Sequence, residues 1–237
     1  MSKLERKIDD VFKRLYDLIF AILFLIVFSP LYLITAIIIM ITSPGTPIYK
    51  AQRVGKDGKI FTCYKFRSMR IDSGKVRLTT LRNDDRIFPF GRLIRKTKID
   101  EMPQVLNVLL GQMSVVGPRP EDRENADVIY KGKYKKLLSV KPGLTSIASL
   151  YDYTHGEKYD SEEKYYQEFL PQKLELELFY VNHHNVLYDL VITIRTVIII
   201  IQTLFGKEYF KYPKELKIIY EENKCVENDV YRSNQLL

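Results

Sequence analysis

The chain has 237 residues, 46% of them hydrophobic, and carries a formal net charge of +8 with a pI near 9.2. That length gives one domain with attachments and a buried core. Cys63 and Cys225, far apart and without ligand spacing, exclude a disulfide framework and a cysteine-based zinc site, and a reducing compartment is the simpler expectation.

A basic surface favours anionic partners: phosphate groups, acidic lipid headgroups or nucleic acid. The apolar residues are concentrated in two stretches. The first, Tyr16 to Ile41, has no charge after Asp17. Its roughly 26 residues exceed the ~20 that span a bilayer. No small-residue cleavage pattern follows, and the run resumes after Ser29-Pro30, which argues against a signal peptide. Pro30 removes a helix hydrogen bond mid-run, so Ser29-Pro30 is expected to kink or break the helix there. Lys3, Arg6, Lys7, Lys13 and Arg14 precede the segment, and Lys50, Arg53, Lys56, Lys59 and Lys65 follow it. Both flanks being basic, a re-entrant hairpin with both on the cytoplasmic side removes the conflict with the positive-inside rule. A proline-kinked spanning helix is the alternative.

Ser43-Pro44-Gly45-Thr46-Pro47 is a turn cluster. Ile60 to Phe66 is expected as a strand after the turn Lys56-Asp57-Gly58-Lys59. Gly91 to Ile99 and Met102 to Leu110 are expected as helices, and Ser114-Val115-Val116 as a short strand. Asp100 and Glu101 stand just before Pro103, a residue favoured in a helix's first turn. A helix N-terminus favours ionised carboxylates and attracts phosphate. One carboxylate could attack phosphorus while the other holds Mg²⁺; a solvated helix start is the plain structural reading.

Arg86, Arg92, Arg95, Lys96 and Lys98 precede the acids and would face either an anionic bilayer or a substrate. Gly117-Pro118-Arg119-Pro120 fixes φ on both sides of one arginine, whose planar fork suits phosphate. Lys141-Pro142-Gly143 repeats that theme with a lysine. From Leu187 to Phe205, Asp189, Thr193, Arg195, Thr196, Gln202 and Thr203 fall on one half of a helix. Leu190, Ile194, Val197, Ile201, Leu204 and Phe205 fall on the other, as in an interfacial helix or one packed on its own core. The tail with Lys207, Lys211 and Lys214 carries no assigned motif, and His183-His184 reads as surface rather than as a metal pair.

The segment Arg86 to Glu121, RIFPFGRLIRKTKIDEMPQVLNVLLGQMSVVGPRPE, closely resembles the bacterial sugar transferases, the monotopic phosphoglycosyl transferases. Gln52 to Arg70, Lys141-Pro142-Gly143 and the apolar segment with Ser29-Pro30 resemble the family too. The resemblance implies sugar-1-phosphate transfer from a UDP-sugar to undecaprenyl phosphate, with release of UMP. It makes Asp100 the nucleophile, forming a phospho-sugar ester, with Glu101 supporting metal or proton transfer and Mg²⁺ held near the pair. Lys65, Arg67, Arg92 and Arg119 become phosphate-contact candidates, and Arg86 and Lys141 complete the expected substrate-binding set. Thr145-Ser146-Ile147-Ala148-Ser149 and His183-His184 depart from the family pattern, which touches sugar and nucleotide selectivity.

The expected architecture is α/β, mostly helical with a few short strands, on the cytoplasmic face of a bacterial inner membrane. Its expected parts are a membrane element over 1–43, a catalytic domain over 44–206 and a tail over 207–237. Membrane lipids are expected partners, and a homo-oligomer is compatible with the sequence. Nucleic acid is not expected, because the basic residues flank apolar segments and no recognition motif is present. Two competing readings are a non-catalytic module binding anionic lipid and a glycosyl transferase that releases UDP.

Overall fold

A computed structural model describes residues 3–71, 86–156 and 162–222; Cys225 lies outside them. Helix α1, Lys3–Thr42, leads into an antiparallel hairpin of β1, Ile48–Val54, and β2, Ile60–Phe66, paired from Ile48↔Phe66 to Val54↔Ile60. Helix α2, Pro89–Lys96, a 3₁₀ turn, Ile99–Gln104, and helix α3, Val105–Leu109, follow. Strand β3, Ser114–Val116, pairs in parallel with β4, Gly143–Thr145, across α4, Arg123–Ile129, and a 3₁₀ segment, Gly132–Ser139. Helix α5, Ile147–His155, is capped by Ser146. Helix α6, Glu162–Lys164, runs through a π turn, Tyr165–Phe169, into α7, Leu170–His183, and α8, Val186–Leu204, follows. The described residues are thus mostly helical, with four short strands, as expected.

Helix α1 does not end at Ser29-Pro30. Pro30 has no N–H for the carbonyl four residues back, and the Ser29 hydroxyl donates to that carbonyl, Ile26 O, at 3.0 Å. The pair therefore restores the bond that the proline removes, as polar side chains do in apolar surroundings.

The globule grips α1 near both ends. Arg14 donates to the carbonyls of Val108 and Leu109 at 2.7 and 2.9 Å, satisfying the open end of α3. Asp17 accepts from Ser114 Oγ and Val115 N at 2.9 and 2.8 Å. Lys13 pairs with Asp189 of α8, and Tyr180 donates to the same carboxylate at 2.8 Å. Farther along, Tyr32 donates to Met102 O, and Ile39 packs against Phe66, Phe88 and Ile94. Between the anchors the helix is apolar and bare: Ile26 is 66% exposed, Val27 65% and Leu33 63%.

Helix α8 reverses the usual amphipathic pattern. Its polar half faces the protein, with Asp189 buried, Thr193 bonded to Tyr16 at 2.6 Å and Thr196 to Thr145 at 2.8 Å. Leu190, Ile194, Val197, Ile201, Leu204 and Phe205 are exposed. The sequence expectation of two halves is met, and the reading of an apolar face packed on the protein's own core is not.

The expected boundary at residue 206 does not appear in the packing. Residues 214–222 are helical, and Leu216 and Ile219 are buried in the main core with Ile192 and Tyr151. Apolar spacing in the tail brings this return about.

Asn107, fully buried, ties the hairpin to α3. Its amide donates to Thr62 O at 2.6 Å and Gln112 Oε1 at 2.7 Å, and its carbonyl accepts from Tyr64 N at 3.1 Å. Asn107→Ala leaves the half-buried Thr62 O and Tyr64 N without their partner and is expected to lower unfolding stability by about 2–4 kcal/mol. The exposed Gln52→Ala should change it by less than about 0.5 kcal/mol in the same detergent-based denaturation.

Candidate active site

Helix α2 stops at Lys96, and Lys98 takes a left-handed conformation at φ 59°. The chain then enters the 3₁₀ turn with Asp100 and Glu101 in its first turn. The sequence placed these acids at an α-helix start; the first turn is 3₁₀ instead, closed by Glu101 N donating to Lys98 O at 3.2 Å. Gly91, upstream, lies so close to Ser68 that a Cβ would meet the Ser68 carbonyl oxygen at 2.1 Å, so only glycine lets α2 approach β2's end.

Glu101 Oε1 accepts from Arg119 Nη2 at 3.0 Å and from Lys65 Nζ at 3.3 Å. Burial alone would raise the Glu101 carboxyl, but Arg119, then Lys65 and Lys98, more than reverse this and hold it well below the usual range. Arg119 is correspondingly held in its charged form, mainly by Glu101. Asp100 is 8% exposed, and its Oδ1 has no hydrogen-bond partner. Burial first, then the neighbouring Glu101 charge, pushes its carboxyl up to about 6. Two adjacent carboxylates thus differ because the cations are assigned to one of them.

The Arg119 loop is held from four sides. Gly117 N donates to Thr145 O at 3.0 Å and Gly143 N to Pro118 O at 2.9 Å. Arg119 N donates to Glu177 Oε1 at 3.1 Å, and Tyr130 donates to Arg119 O at 3.3 Å. A Cβ on Gly117 would meet Lys141 O at 2.4 Å, so the crossing with β4 requires glycine. Glu177 is buried, accepts also from Ser146 Oγ at 3.0 Å, and is pushed by burial up to about 7.

Of the expected substrate-binding set, Lys65 and Arg119 converge on Glu101. Arg67 does not: its guanidinium is spent on Ser43, Pro44 O and Thr46 O, where it fixes the exit of α1. Arg86 is buried beside the Met69–Ile87 bridge, its carbonyl accepting from Arg70 N at 2.9 Å. Arg92 is exposed on α2. Lys141 lies near Gly111 and Arg14, and burial and the Arg14 charge lower its affinity for a proton. His183 and His184 engage backbone carbonyls of their own helix through Nδ1, at 2.9 and 3.0 Å.

Lys98 and Arg95 approach Asp100 closely enough to favour its charge, and Lys98 also sits over the Tyr153 ring at 5.2 Å. Both belong to the basic cluster read in the sequence, where nothing distinguished them from exposed neighbours. Glu177 could not be singled out there, because its role comes from a contact 58 residues away.

A cavity of about 780 Å³ adjoins the pair. Its polar end holds Glu101, Arg119 and Lys98, and its apolar walls include Phe24 and Phe28 of α1 and Val197 and Ile201 of α8. The site brings a buried carboxylate with an unpartnered oxygen, a cation-bound carboxylate and an apolar cavity together.

The chain matches the bacterial sugar transferase family over residues 8–203 and belongs to it. It is 39% identical over 199 residues to the UDP-glucose:undecaprenyl-phosphate glucose-1-phosphate transferase of Klebsiella pneumoniae, covering 80% of this chain and 40% of that protein. The protein of the same description from Escherichia coli K12 is 34% identical over 198 residues, covering 80% of this chain and 40% of the relative. An exopolysaccharide production protein of Rhizobium leguminosarum bv. phaseoli is 33% identical over 198 residues, covering 81% of this chain and 96% of that one. The chain thus spans less than half the length of the first two relatives and nearly all of the third.

The raised Asp100 carboxyl makes a stability prediction. The folded chain binds this proton more tightly than the unfolded chain does, so ionised Asp100 destabilises the fold above pH about 6. Asp100→Asn is expected to stabilise the protein by roughly 1–3 kcal/mol at pH 8. The gain should shrink as pH falls through 6 toward 4, in thermal unfolding with EDTA and no substrate.

Proposed function

We propose that the chain transfers a sugar-1-phosphate from a UDP-sugar to undecaprenyl phosphate, giving undecaprenyl diphospho-sugar and UMP. The observation that carries this is the uneven pair: Asp100 with an unpartnered buried oxygen beside Glu101 held by Arg119 and Lys65. The Asp100 carboxylate attacks the sugar-linked phosphorus of the donor. A phosphorus–carboxylate bond forms, the bond to the bridging oxygen breaks, and UMP leaves. An oxygen of undecaprenyl phosphate then attacks the same phosphorus, and the Asp100 carboxylate is released. Phosphoryl transfer asks mainly for positioning and charge neutralisation. Arg119, Lys65, Lys98 and Arg95 supply the positive charge around the pair.

Mg²⁺ fits the donor set. Among the described residues no cluster of three or more His, Cys, Asp or Glu forms a cage. Mg²⁺ commonly takes one or two carboxylates plus water and substrate phosphates. Asp100 Oδ1 and the remaining Glu101 oxygen would hold it, and the ion would neutralise diphosphate charge. Lys65 and Arg119 keep Glu101 ionised for that purpose.

The membrane position supports the reading. Helices α1 and α8 are both long and apolar enough to cross a bilayer, and both leave apolar faces bare. The contacts of α1 run from Asp9 to Ser43, roughly 50 Å along a straight helix, against about 40 Å for the width of a globule this size. A proline kink at Ser29-Pro30 within the continuous helix would let both arms hold one globule, as a re-entrant element on the cytoplasmic face of the inner membrane does. The apolar walls of the cavity then receive the first isoprene units, and its polar end receives the phosphate. The pathway is assembly of an exopolysaccharide, capsule or related glycoconjugate, and the Rhizobium relative is named for exopolysaccharide production.

The test is the nucleotide released by membrane-extracted protein given a UDP-sugar panel, Mg²⁺ and undecaprenyl phosphate. UMP is expected, reduced at least ~1,000-fold in Asp100→Asn. UDP would mean glycosyl transfer instead, and no nucleotide from any donor would favour a lipid-binding module. Asp100 attacks when ionised, so the rate is expected to fall as pH drops through about 6.

A further inference from the structure

Helix α8 ends at Leu204, and Gly206 just past it takes φ +84° and lets Lys207 N reach Gln202 O at 2.9 Å. The chain turns back beneath α5. Tyr212 packs on His155 with ring centroids 4.6 Å apart, and buried Glu215 accepts from Arg195 at 2.7 Å and Tyr188 at 3.2 Å. The segment 205–214, FGKEYFKYPK, is therefore fixed at both ends, and it lies beyond the residues that match the family.

What it presents is unusual for a water-facing strap. Phe205 is 89% exposed, Tyr209 80% and Tyr212 64%. Lys207, Lys211 and Lys214 alternate with these rings and are exposed, with Glu208 the one acid of the segment.

Its level in the molecule follows from the register of α8 on α1. Val186 N donates to Asp9 at 3.4 Å, Lys13 pairs with Asp189, and Tyr16 meets Thr193. The two helices run in the same direction with a nearly constant offset. Carried on, that register sets Leu204 and Phe205 level with Phe28, beside Ser29-Pro30, and Phe28 and Leu204 do line the same cavity. Phe205 thus emerges at the bare apolar part of α1, far from the charged N-terminal end.

We infer that residues 205–214 form an interfacial anchor that seats Phe205 in the apolar layer beside the α1 midsection, brings Tyr209 back to the headgroup level and places Lys207, Lys211 and Lys214 on anionic lipid phosphates. Aromatic rings prefer that depth, and lysines reach back to the headgroups. The anchor holds the C-terminal end of α8, one wall of the cavity, at a fixed height in the membrane. It rests on the α1 midsection lying in a bilayer and not on the transfer reaction.

The chain has no tryptophan, so a single reporter reads cleanly. Full-length Tyr209→Trp and, separately, Val27→Trp are reconstituted in phosphatidylglycerol vesicles, with brominated lipid and iodide as quenchers. Both positions are exposed, so neither replacement disturbs packing. Tyr209→Trp is expected to emit at shorter wavelength than in lipid-free detergent-diluted protein, to be quenched by brominated lipid and to resist iodide. The blue shift should be lost largely in phosphatidylcholine, or when Lys207→Gln, Lys211→Gln and Lys214→Gln are combined. Emission open to iodide and untouched by brominated lipid, with Val27→Trp quenched, would overturn the anchor while leaving α1 in the membrane. Equal lipid quenching in both vesicles, unmoved by the lysine replacements, overturns the charge recognition. If Val27→Trp is also open to iodide, the membrane premise falls and the anchor with it.

Discussion

Two neighbouring carboxylates in a water-poor site repel each other, and the fold resolves this by giving the cations to one of them. Arg119 and Lys65 both bind Glu101 Oε1, and Asp100 Oδ1 is left without a partner. Glu101 becomes the settled charge, and Asp100 keeps a raised proton affinity. The three groups come from different places: a strand, a 3₁₀ turn and the loop after β3. Convergence is therefore a demand on the whole fold. Asn107 holds β2 against α3, Gly91 lets α2 close on Ser68, and the Gly117–Gly143 crossing sets the Arg119 loop. Each is a small or polar residue where an apolar one would pack more simply, and each acts on where the cations land.

The second constraint is the solvent. In water, a helix with its polar half inward and apolar half outward would be inverted and costly. α8 has this form, and α1 between its anchors, though it has no polar half, leaves Ile26, Val27 and Leu33 bare as well. The inward polar groups are all used: Asp189 by Lys13 and Tyr180, Thr193 by Tyr16, Thr196 by Thr145. The polar contacts that would drive a soluble helix outward here fasten the apolar elements to the globule. They also place the walls of the cavity, so the bare apolar faces and the shape of the site depend on the same bonds.

Much of this could be read from the residues. The hairpin, the β3 strand, the two apolar elements and the Asp100–Glu101 pair follow from periodicity, turn residues and proline placement. Lys65 and Arg119 were found through the ordered motif around them. The sequence was silent where a role depends on distance. Arg67 sits in the same run as Lys65, but β2 ends at Phe66, and just past it Arg67 turns to the exit of α1. Glu177 lies in a helix of ordinary amphipathic composition, and only its contact with Arg119 N gives it a part. The 3₁₀ geometry at Asp100 depends on the left-handed Lys98, which no pattern signals. Ser29-Pro30 predicted a break, while the bond from Ser29 to Ile26 O keeps the helix whole.

The distribution of cations also shows where added negative charge can go. Lys173 pairs with Asp152, and Arg119 and Lys65 are committed to Glu101. Lys98 and Arg95 lie close enough to influence Asp100, yet neither is ion-paired with a described residue. In the proposed reaction, an entering diphosphate would bring charge that the committed cations cannot take without releasing Glu101. Lys98 and Arg95 can accept it at no such cost, and they flank the turn that carries Asp100. The left-handed conformation of Lys98 then has a physical reason: it turns the chain so that Lys98 lines the cavity together with Glu101, next to Asp100 in the same turn.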